Sequence, residues 1–182
     1  MVVSPTSIDG VLLIQPIIIQ DLRGEFSNIW SLEMFRQYGI EERFDYSCLS
    51  ANRKLGTMRG LHFQEGDSAE AKLVRCERGE IFDVAVDLRP ESPSYLKSAH
   101  AILSESNRNA FYIPKGCAHG FQTLMDDSVV SYLIAGRYMP ESARTVAWYD
   151  TSFNIPWPET KKRILSAKDE AAPRLKDLHG NH

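Results

Sequence analysis

The amino-acid sequence predicts an all-β fold, an antiparallel sandwich or barrel with a few short peripheral helices. The clearest observation is the stretch 80–88, "EIFDVAVDL", where the side chains alternate at a period of two and Phe82, Val84, Val86 and Leu88 share one face. Further short apolar runs lie at 99–103, 109–113, 129–135 and 144–149. Clusters of Pro, Gly, Ser and Asp separate these runs, which is typical of short strands joined by turns.

Two elements are predicted before this strand-rich middle. The run "VLLIQPIII" at 11–19 contains Pro16, which removes a backbone donor, and we interpret it as a buried edge strand. A helix is predicted at 31–38, where Ser31 caps "LEMFRQY" and Gly39 ends it.

Length and composition indicate one domain spanning 1–182, in which 171–182 is a polar C-terminal tail. The chain has 182 residues, of which 43% are hydrophobic and 25% charged, enough to bury a full core. The tail is expected to end in a short helix or in disorder. No internal repeat or linker-like tract divides the chain.

The composition gives no reason to expect a nucleic-acid or membrane partner, and the cysteine content bears on the location of the protein. A net charge of −3 with scattered Lys and Arg gives no reason to expect nucleic acid. No apolar run reaches the roughly 18 residues of a membrane span, and no signal peptide is recognisable, so no membrane partner is expected. Cys48, Cys76 and Cys117 form no CxxC spacing, which favours a reducing, cytoplasmic location.

Two histidines lie in motifs that point to one site. His62 lies in "RGLHFQ" at 59–64, and His119 lies in "PKGCAHGFQ" at 114–122. A lone histidine near an apolar face is commonly a core residue, but Gly116 permits a turn that aims His119 back into a barrel. The two segments resemble the two half-motifs of the cupin superfamily, in which residues from several strands converge on one cavity.

A metal site is not expected there. Gln64 stands at the second position of the histidine pair that metal-binding cupins carry, and Lys72 lies where a carboxylate would be wanted. A divalent metal needs several neutral or anionic ligands, and an ammonium group opposes it. A histidine beside fixed positive charge instead suits a general base that removes a proton next to a carbonyl, with the cation stabilising the enolate. Tyr132 is a candidate for the acid, although a core aromatic is the alternative reading.

Several longer stretches together resemble the dTDP-4-dehydrorhamnose 3,5-epimerase family. They are "DLRGEF" (21–26), "RGLHFQ" (59–64), "KLVRCERGEIFDVAVDLRPESPSYLK" (72–97), "FYIPKGCAHGFQTL" (111–124), "VVSYLIAGRYMPE" (129–141), "IPWP" (155–158) and "LSAKD" (165–169). The resemblance implies a cupin-type jelly roll without metal or organic cofactor, which is a homodimer exchanging N-terminal strands. The implied substrate is a nucleoside diphosphate 4-keto-6-deoxy sugar, epimerised at C-3 and C-5.

The resemblance also assigns roles by position. His62 matches the catalytic base, Asp169 its dyad partner, Tyr132 the acid and Lys72 the group near the 4-keto oxygen. The residues that match substrate-binding positions are Arg59, His119 and Lys168. Tyr138 matches the aromatic residue that stacks on the nucleotide base, and Arg23 and Phe26 match residues that reach over the nucleotide from the neighbouring subunit. Asn28 and Ser47 are included among the expected substrate-binding residues, although both depart from the family pattern.

Departures cluster around substrate recognition. Asn28 stands where the family often has glutamate, Ser47 and Leu49 where glutamine and asparagine are common, and Ala143 and Glu170 where glutamate and arginine are frequent. Glu170 would repel a diphosphate if it faced the ligand. The alternatives are therefore a C-3-only epimerase or a 3,4-ketoisomerase on a related sugar nucleotide, a non-catalytic nucleotide-sugar-binding cupin, and a metal-dependent cupin enzyme.

Overall fold

The computed structural model describes residues 1–178, and antiparallel strands dominate it, which confirms the all-β prediction. The strands are β1 (Val2–Pro5), β2 (Leu12–Gln15), β3 (Ile19–Asp21), β4 (Gly24–Phe26), β5 (Tyr46–Asn52), β6 (Met58–Gln64), β7 (Ala71–Arg78), β8 (Glu80–Asp87), β9 (Ser98–Ser104), β10 (Ala110–Ile113), β11 (Cys117–Thr123), β12 (Ser128–Ala135) and β13 (Ala143–Thr145). The helices are α1 (Leu32–Arg36), α2 (Ala167–Glu170) and α3 (Leu175–Leu178), with 3-10 turns at Gly66–Ser68 and Thr151–Phe153.

Two sheets face each other across the main core. One has the order β1-β2-β10-β7-β12-β5 and the other the order β13-β6-β11-β8-β9. The alternation predicted in β8 is correct, because Ile81 and Ala85 lie in the core between the sheets while Phe82 and Val84 lie in a second cluster on the opposite face. That second cluster is closed by residues of the C-terminal segment, which we define as 150–178, including Phe153. Both faces of β8 are therefore buried.

The outer face of the six-stranded sheet is covered by the predicted helix. Phe35 of α1 is fully buried and packs in a cluster with Leu73 of β7. The Ser31 hydroxyl accepts a hydrogen bond from the Met34 amide, which satisfies one free donor of the first turn. Gly39 follows the helix with a φ of 77°, the left-handed conformation that ends helices.

Two strand predictions are wrong in extent. Within the run 11–19, β2 ends at Gln15, before Pro16, and lies between β1 and β10 rather than at an edge. Ile17 and Ile19 are 66% and 61% exposed, so this half of the run is not buried. Apolar composition alone does not place a segment inside when a proline ends the strand that would carry it there.

The second difference is at 144–149, where only Ala143–Thr145 forms a strand. Val146 still exchanges two backbone hydrogen bonds with Leu61 of β6, and the chain leaves the sheet only at Ala147. Both residues are buried beneath the C-terminal segment. The Ala147 amide donates to the Pro173 carbonyl, which replaces the sheet hydrogen bond.

The C-terminal segment forms α2 and α3, in agreement with the predicted short helix. The remainder of the predicted tail, 179–182, lies outside the described residues. Across 1–178, none of the helices has both the length and the apolar character needed to traverse a lipid bilayer. The assignment of the whole chain to one domain stays a prediction.

A two-stranded hairpin of β3 and β4 stands apart from both sheets. All six residues of its strands are exposed, and Leu22 at its turn and Phe26 are exposed apolar side chains. Glu25 of this hairpin pairs with Arg108 at 3.3 Å.

Candidate active site

The site is built where β6 and β11 run side by side in the five-stranded sheet. In this antiparallel pair His62 lies directly opposite His119, and the register shifts just after His119. A Cβ atom on Gly60 would come within 2.6 Å of the Gly120 Cα, and one on Gly120 within 2.7 Å of the Arg59 carbonyl oxygen. Glycine at both positions therefore lets the strands approach and places the two histidines together.

The two histidines border a cavity of about 280 Å³ between the sheets. Its lining residues are Cys48, Leu49, Ser50, Arg59, His62, Lys72, His119, Phe121, Tyr132 and Ile134. A second hollow of about 320 Å³ shares Arg59, His62 and Lys72 with it and extends to Tyr138, Ala143, Lys168 and Asp169. The two hollows form one cleft with several cationic groups at its centre. Seven of the residues predicted for the site meet there, and Tyr138 joins them at its border.

His62 is oriented by a carboxylate from the far end of the chain. Its Nε2–H donates to Asp169 Oδ1 over 2.6 Å, which leaves Nδ1 as the nitrogen that can accept a proton. The His62 side chain is 40% exposed, whereas that of Asp169 is 5% exposed. A base open to the cleft and held by a buried carboxylate is a general acid–base arrangement.

Asp169 is held in its charged form. Burial would raise the pKa of this carboxyl, but hydrogen bonds from His62, from the Ser166 hydroxyl and from the Gly60 amide hold the pKa below its usual range. Ser166 also caps α2, because its hydroxyl accepts a hydrogen bond from the Asp169 amide. The short helix α2 thus presents the carboxylate to β6.

His119 has a carboxylate partner of its own. Its Nε2 is 2.8 Å from Asp83 Oδ1, and both side chains are almost fully buried. The His119 ring also lies edge-on to Tyr132, with ring centroids 6.0 Å apart. Burial raises the pKa of Asp83, while His119 and then Lys72 oppose that shift.

Tyr132 lies on β12, in the sheet opposite His62, and borders the same cavity. Burial, and next the nearby Asp83 carboxylate, raise the pKa of its hydroxyl. The group is therefore protonated at neutral pH and can act only as an acid until it has given up that proton. Most of this side chain is packed against the main core, as the core-aromatic reading expects, and the role of Tyr132 as the acid stays a prediction.

Lys72 lies on β7 with only 8% of its surface exposed. Its Nζ pairs with Glu70 Oε1 at 3.0 Å. The other Glu70 oxygen accepts from Gln64 Nε2 at 3.2 Å and from the Tyr46 hydroxyl at 3.5 Å. Burial, with the Glu70 charge as the next cause, raises the pKa of Tyr46 to about 12.

Gln64 borders the second hollow of the cleft, and its side-chain amide holds the neighbouring loops in place. Its Nε2 also donates to the Ser68 and Arg137 carbonyls, and its Oε1 accepts from the Met139 amide at 2.7 Å. Within 1–178, no three His, Cys, Asp or Glu side chains lie close enough together to share a metal ion.

The remaining substrate-binding predictions divide into two groups. Arg59 lines the cleft, where its Nε donates to Asn52 Oδ1 at 2.9 Å, and Lys168 and Tyr138 border it. Arg23 and Phe26 do not reach this cleft in the single chain, because both lie on the exposed β3–β4 hairpin.

Asn28 and Ser47 are exposed as well. The Asn28 Oδ1 accepts from the Trp30 amide at 3.2 Å, and Ser47 pairs with Leu133 on the sheet edge. Of the other departures, Leu49 and Ala143 border the cleft, whereas Glu170 is exposed at the end of α2 and is absent from the cleft-lining residues given above.

The similarity of the chain to known proteins identifies its family. A family model described as dTDP-4-dehydrorhamnose 3,5-epimerase matches residues 5–177. The chain belongs to the dTDP-4-dehydrorhamnose 3,5-epimerase family.

Individual relatives agree with this epimerase family. A dTDP-4-dehydrorhamnose 3,5-epimerase from Sinorhizobium fredii is 42% identical over 94% of this chain and 88% of its own length. The crystal structure of a dTDP-6-deoxy-D-glucose-3,5-epimerase from Legionella pneumophila, in complex with dTDP-4-keto-L-rhamnose, superposes with a TM-score of 0.92 at 36% identity, covering 98% of this chain and 94% of that one. A 3′-monoepimerase from Streptomyces bikiniensis, in complex with dTDP-quinovose, gives a TM-score of 0.87 at 31% identity over 94% and 87% of the two chains.

Membership of the epimerase family confirms the resemblance drawn from the sequence motifs and, with it, the cupin-type β fold and the enzyme class, an isomerase. Three groups that support the predicted residues were not predicted from the sequence. Asp83 partners His119, Glu70 partners Lys72, and Asn52 partners Arg59. One signal was available for Asp83, since a carboxylate between Ile81 and Ala85 on a core face requires a buried partner.

Proposed function

We propose that this protein epimerises a nucleoside diphosphate 4-keto-6-deoxy sugar at C-3 and C-5 in deoxysugar biosynthesis. The observation that carries the proposal is the His62–Asp169 pair, 2.6 Å apart, opening on the same cleft as Lys72 and Tyr132. A base, a cation and an acid are the three groups that inversion beside a ketone requires.

In the proposed reaction, Nδ1 of His62 removes the proton from C-3 or C-5, and the electron pair of the broken C–H bond forms the enolate. Lys72 stabilises the negative charge on the 4-keto oxygen. Tyr132 donates its proton to the same carbon from the opposite face, so the configuration inverts and no net proton is gained or lost by the sugar. Asp169 stabilises the imidazolium that His62 becomes, and it holds the ring in the tautomer that accepts.

Tyr132 and His62 must then be reset before the next turnover. The proton taken up by His62 has to leave and the Tyr132 phenolate has to be reprotonated, by exchange with water at the open side of the cleft. The His119 ring lies edge-on to the Tyr132 ring, and the hydrogen bond between His119 and Asp83 holds the His119 ring in that position.

Substrate binding is assigned to the cationic side chains of the cleft. Arg59 and Lys168 supply positive charge for the diphosphate, and His119 contacts the sugar end. Tyr138, which is 58% exposed, is available to stack on the base. Asn28 and Ser47 are retained as candidate substrate contacts.

A homodimer completes the site in this proposal. The β3–β4 hairpin exposes Leu22 and Phe26, and Arg23 is 90% exposed beside them. Exposed apolar side chains on a projecting hairpin favour contact with another surface. We assign that surface to the cleft of a second copy, where Arg23 and Phe26 cover the nucleotide, and we place the enzyme in the cytoplasm.

The test is a panel of dTDP-, CDP- and GDP-linked 4-keto-6-deoxy sugars incubated with the enzyme in deuterated water. Deuterium entering both C-3 and C-5 supports the proposal. Entry at C-3 alone identifies a C-3 epimerase, the second candidate, which similarity to the Streptomyces bikiniensis 3′-monoepimerase supports. A lack of exchange with all three nucleotides would overturn the epimerase assignment.

A further inference from the structure

Glu70 borders the cleft, and the reaction described above gives it no role. It lies one residue before β7, two positions from Lys72, so both side chains leave the same side of the extended chain. The Lys72 ammonium and the Glu70 carboxylate are 3.0 Å apart, and each side chain is 10% exposed. Both groups also border the hollow that contains His62 and Asp169.

The Glu70 carboxylate is itself fixed by groups outside the reaction. Oε1 faces Lys72, while Oε2 accepts from Gln64 Nε2 and from the Tyr46 hydroxyl. Gln64 is anchored in turn to the backbone of the 137–139 segment through two hydrogen bonds. A carboxylate held at both oxygens has little freedom to rotate, so it defines one position for the ammonium.

A lysine needs such a constraint if it acts at one atom. Its side chain has a flexible four-carbon stem, and the three N–H donors of the ammonium group rotate freely. An ammonium pulled toward a rigid carboxylate has a defined remaining donor direction, and its buried charge is compensated. A misplacement of about 1 Å can cost about 100-fold in rate, so such positioning has a measurable effect.

We propose that Glu70 is a positioning residue that orients the Lys72 ammonium toward the 4-keto oxygen. The inference rests on the proposed function, because Lys72 has a target only if a keto sugar is bound. Glu70 acts through Lys72 and does not touch the substrate. It also links Lys72 to Tyr46 and Gln64, and thereby to the wall that carries Tyr138.

The first test compares kcat and KM for Glu70→Ala with the wild type, using deuterium wash-in as the assay. We expect kcat to fall roughly 10- to 100-fold and KM to change less than about threefold, because the nucleotide contacts are left in place. Glu70→Gln keeps an oxygen that accepts from Lys72 and is expected to restore most of kcat. Asp126→Ala is the matched control, since Asp126 pairs with Lys54 at 3.3 Å on the exposed surface, and it should leave kcat unchanged.

A double-mutant cycle separates positioning from a general structural role. In a Lys72→Met background, Glu70→Ala should lower the remaining exchange by less than about twofold, because its target is gone. An equal loss in both backgrounds would overturn the inference, as would an unchanged kcat in Glu70→Ala alone. Thermal unfolding of each variant identifies misfolding. If Glu70→Ala is misfolded, Tyr46→Phe replaces it in the cycle, because it removes one of the hydrogen bonds that fix the Glu70 carboxylate. Tyr46→Phe should then lower kcat in the wild-type background and not in the Lys72→Met background, and an equal effect in both would overturn the inference.

A measurement that needs no activity distinguishes failure of this inference from failure of the proposed function. In protein labelled with ¹³C at lysine Cε, the Lys72 signal is assigned from its loss in Lys72→Met. We expect a distinct shift in the wild type that moves toward that of exposed lysines in Glu70→Ala. If the Lys72 chemical shift is the same in the wild type and in Glu70→Ala, the inference is contradicted even when the wild type is active. If the shift depends on Glu70 but the protein shows no deuterium exchange, only the proposed function is contradicted.

Discussion

His62 and His119 lie directly opposite each other on β6 and β11, and each ring is hydrogen-bonded to a carboxylate from another element. The two pairs differ in their access to solvent. His62 is 40% exposed at the cleft, whereas His119 is 5% exposed and lies against Tyr132. The same pairing of residue types therefore occurs once at the open cleft, where we propose that His62 is the base, and once in an almost fully buried position.

Replacing His62 by asparagine should abolish deuterium exchange while leaving nucleotide affinity intact. Asparagine is polar and smaller, and it cannot take up a proton, so the loss should reach about 100- to 10,000-fold. Exchange is followed by NMR and dTDP affinity by calorimetry. His100→Asn is the control, because His100 is exposed and stacks on Phe82 away from the cleft. Retained exchange in His62→Asn would remove His62 from the role of base.

Asp169→Asn should lower kcat by about 100- to 10,000-fold with little change in KM. The amide cannot stabilise the imidazolium and offers His62 either a donor or a weaker acceptor, so the ring loses its preferred tautomer. Steady-state kinetics on the epimerisation measure the effect. Glu170→Gln, one position along on an exposed side chain, controls for charge at the end of α2. A large rise in KM with unchanged kcat would contradict an orienting role.

Tyr132→Phe should block inversion more strongly than it blocks proton removal. The ring remains to fill the space beside His119, but the cleft loses the hydroxyl that returns a proton. We expect product formation to fall about 100-fold or more, while wash-in at the original face through His62 persists at a higher rate. Comparing the stereochemistry of deuterated sugar with total exchange measures this. Equal loss of both would assign Tyr132 to another step.

Gly120→Ala should destabilise the protein and misalign the two histidine strands. The added methyl would lie 2.7 Å from the Arg59 carbonyl oxygen and 2.9 Å from the Leu61 side chain, and overpacking of this kind costs about 1–3 kcal/mol. We expect both the melting temperature and the rate of deuterium exchange into the sugar to fall. Gly66→Ala separates backbone strain from crowding, because Gly66 has a φ of 61° but no atom within 4 Å of the added methyl. Wild-type stability in Gly120→Ala would show that the strands can separate freely.

Acid stability should depend on Asp87, whose side chain is completely buried. Burial would raise its pKa, but hydrogen bonds from Arg89, Ser92 and Ser94 hold the pKa far below the usual value of 3.8. A carboxyl with a lowered pKa in the folded state stabilises the protein above its unfolded pKa and loses that contribution as the pH falls below it.

Asp87→Asn should therefore lower the melting temperature at pH 7 by roughly 4–8 °C, the effect of about 2 kcal/mol, and by less at pH 3. Calorimetry at the two pH values measures the difference. An equal loss at both would mean that the Asp87 charge contributes nothing.

The sequence predicted the elements whose signals are local. Alternation in β8 and the capping serine of α1 were sufficient, because period and cap depend on a few neighbouring residues. The run 11–19 misled because its isoleucines are as apolar as a core strand, yet Ile17 and Ile19 lie beyond the strand that Pro16 ends. Whether such residues are buried depends on other segments or on another chain, and the local sequence pattern contains no information about those contacts.

The candidate site depended on a different kind of information. His62 and His119 could be singled out from their motifs, but Asp169 was assigned only through family resemblance, since 107 residues separate it from His62. Glu70 is close to Lys72 in sequence and was still missed. A carboxylate two residues from a lysine has no special meaning until burial of both side chains shows that neither can turn away to water.

Because α2 contributes the Asp169 carboxylate that contacts His62 on β6, the proposed active site is completed only near the end of chain synthesis. The strands that form both sheets are complete by Thr145, yet the carboxylate that orients His62 arrives only at Asp169. A polypeptide interrupted between these points would contain every strand and Tyr132, Lys72 and His119, but would present an undirected imidazole. In the proposed mechanism, exchange activity would thus report that synthesis has run to the final helical segment, the same segment that closes the second hydrophobic cluster.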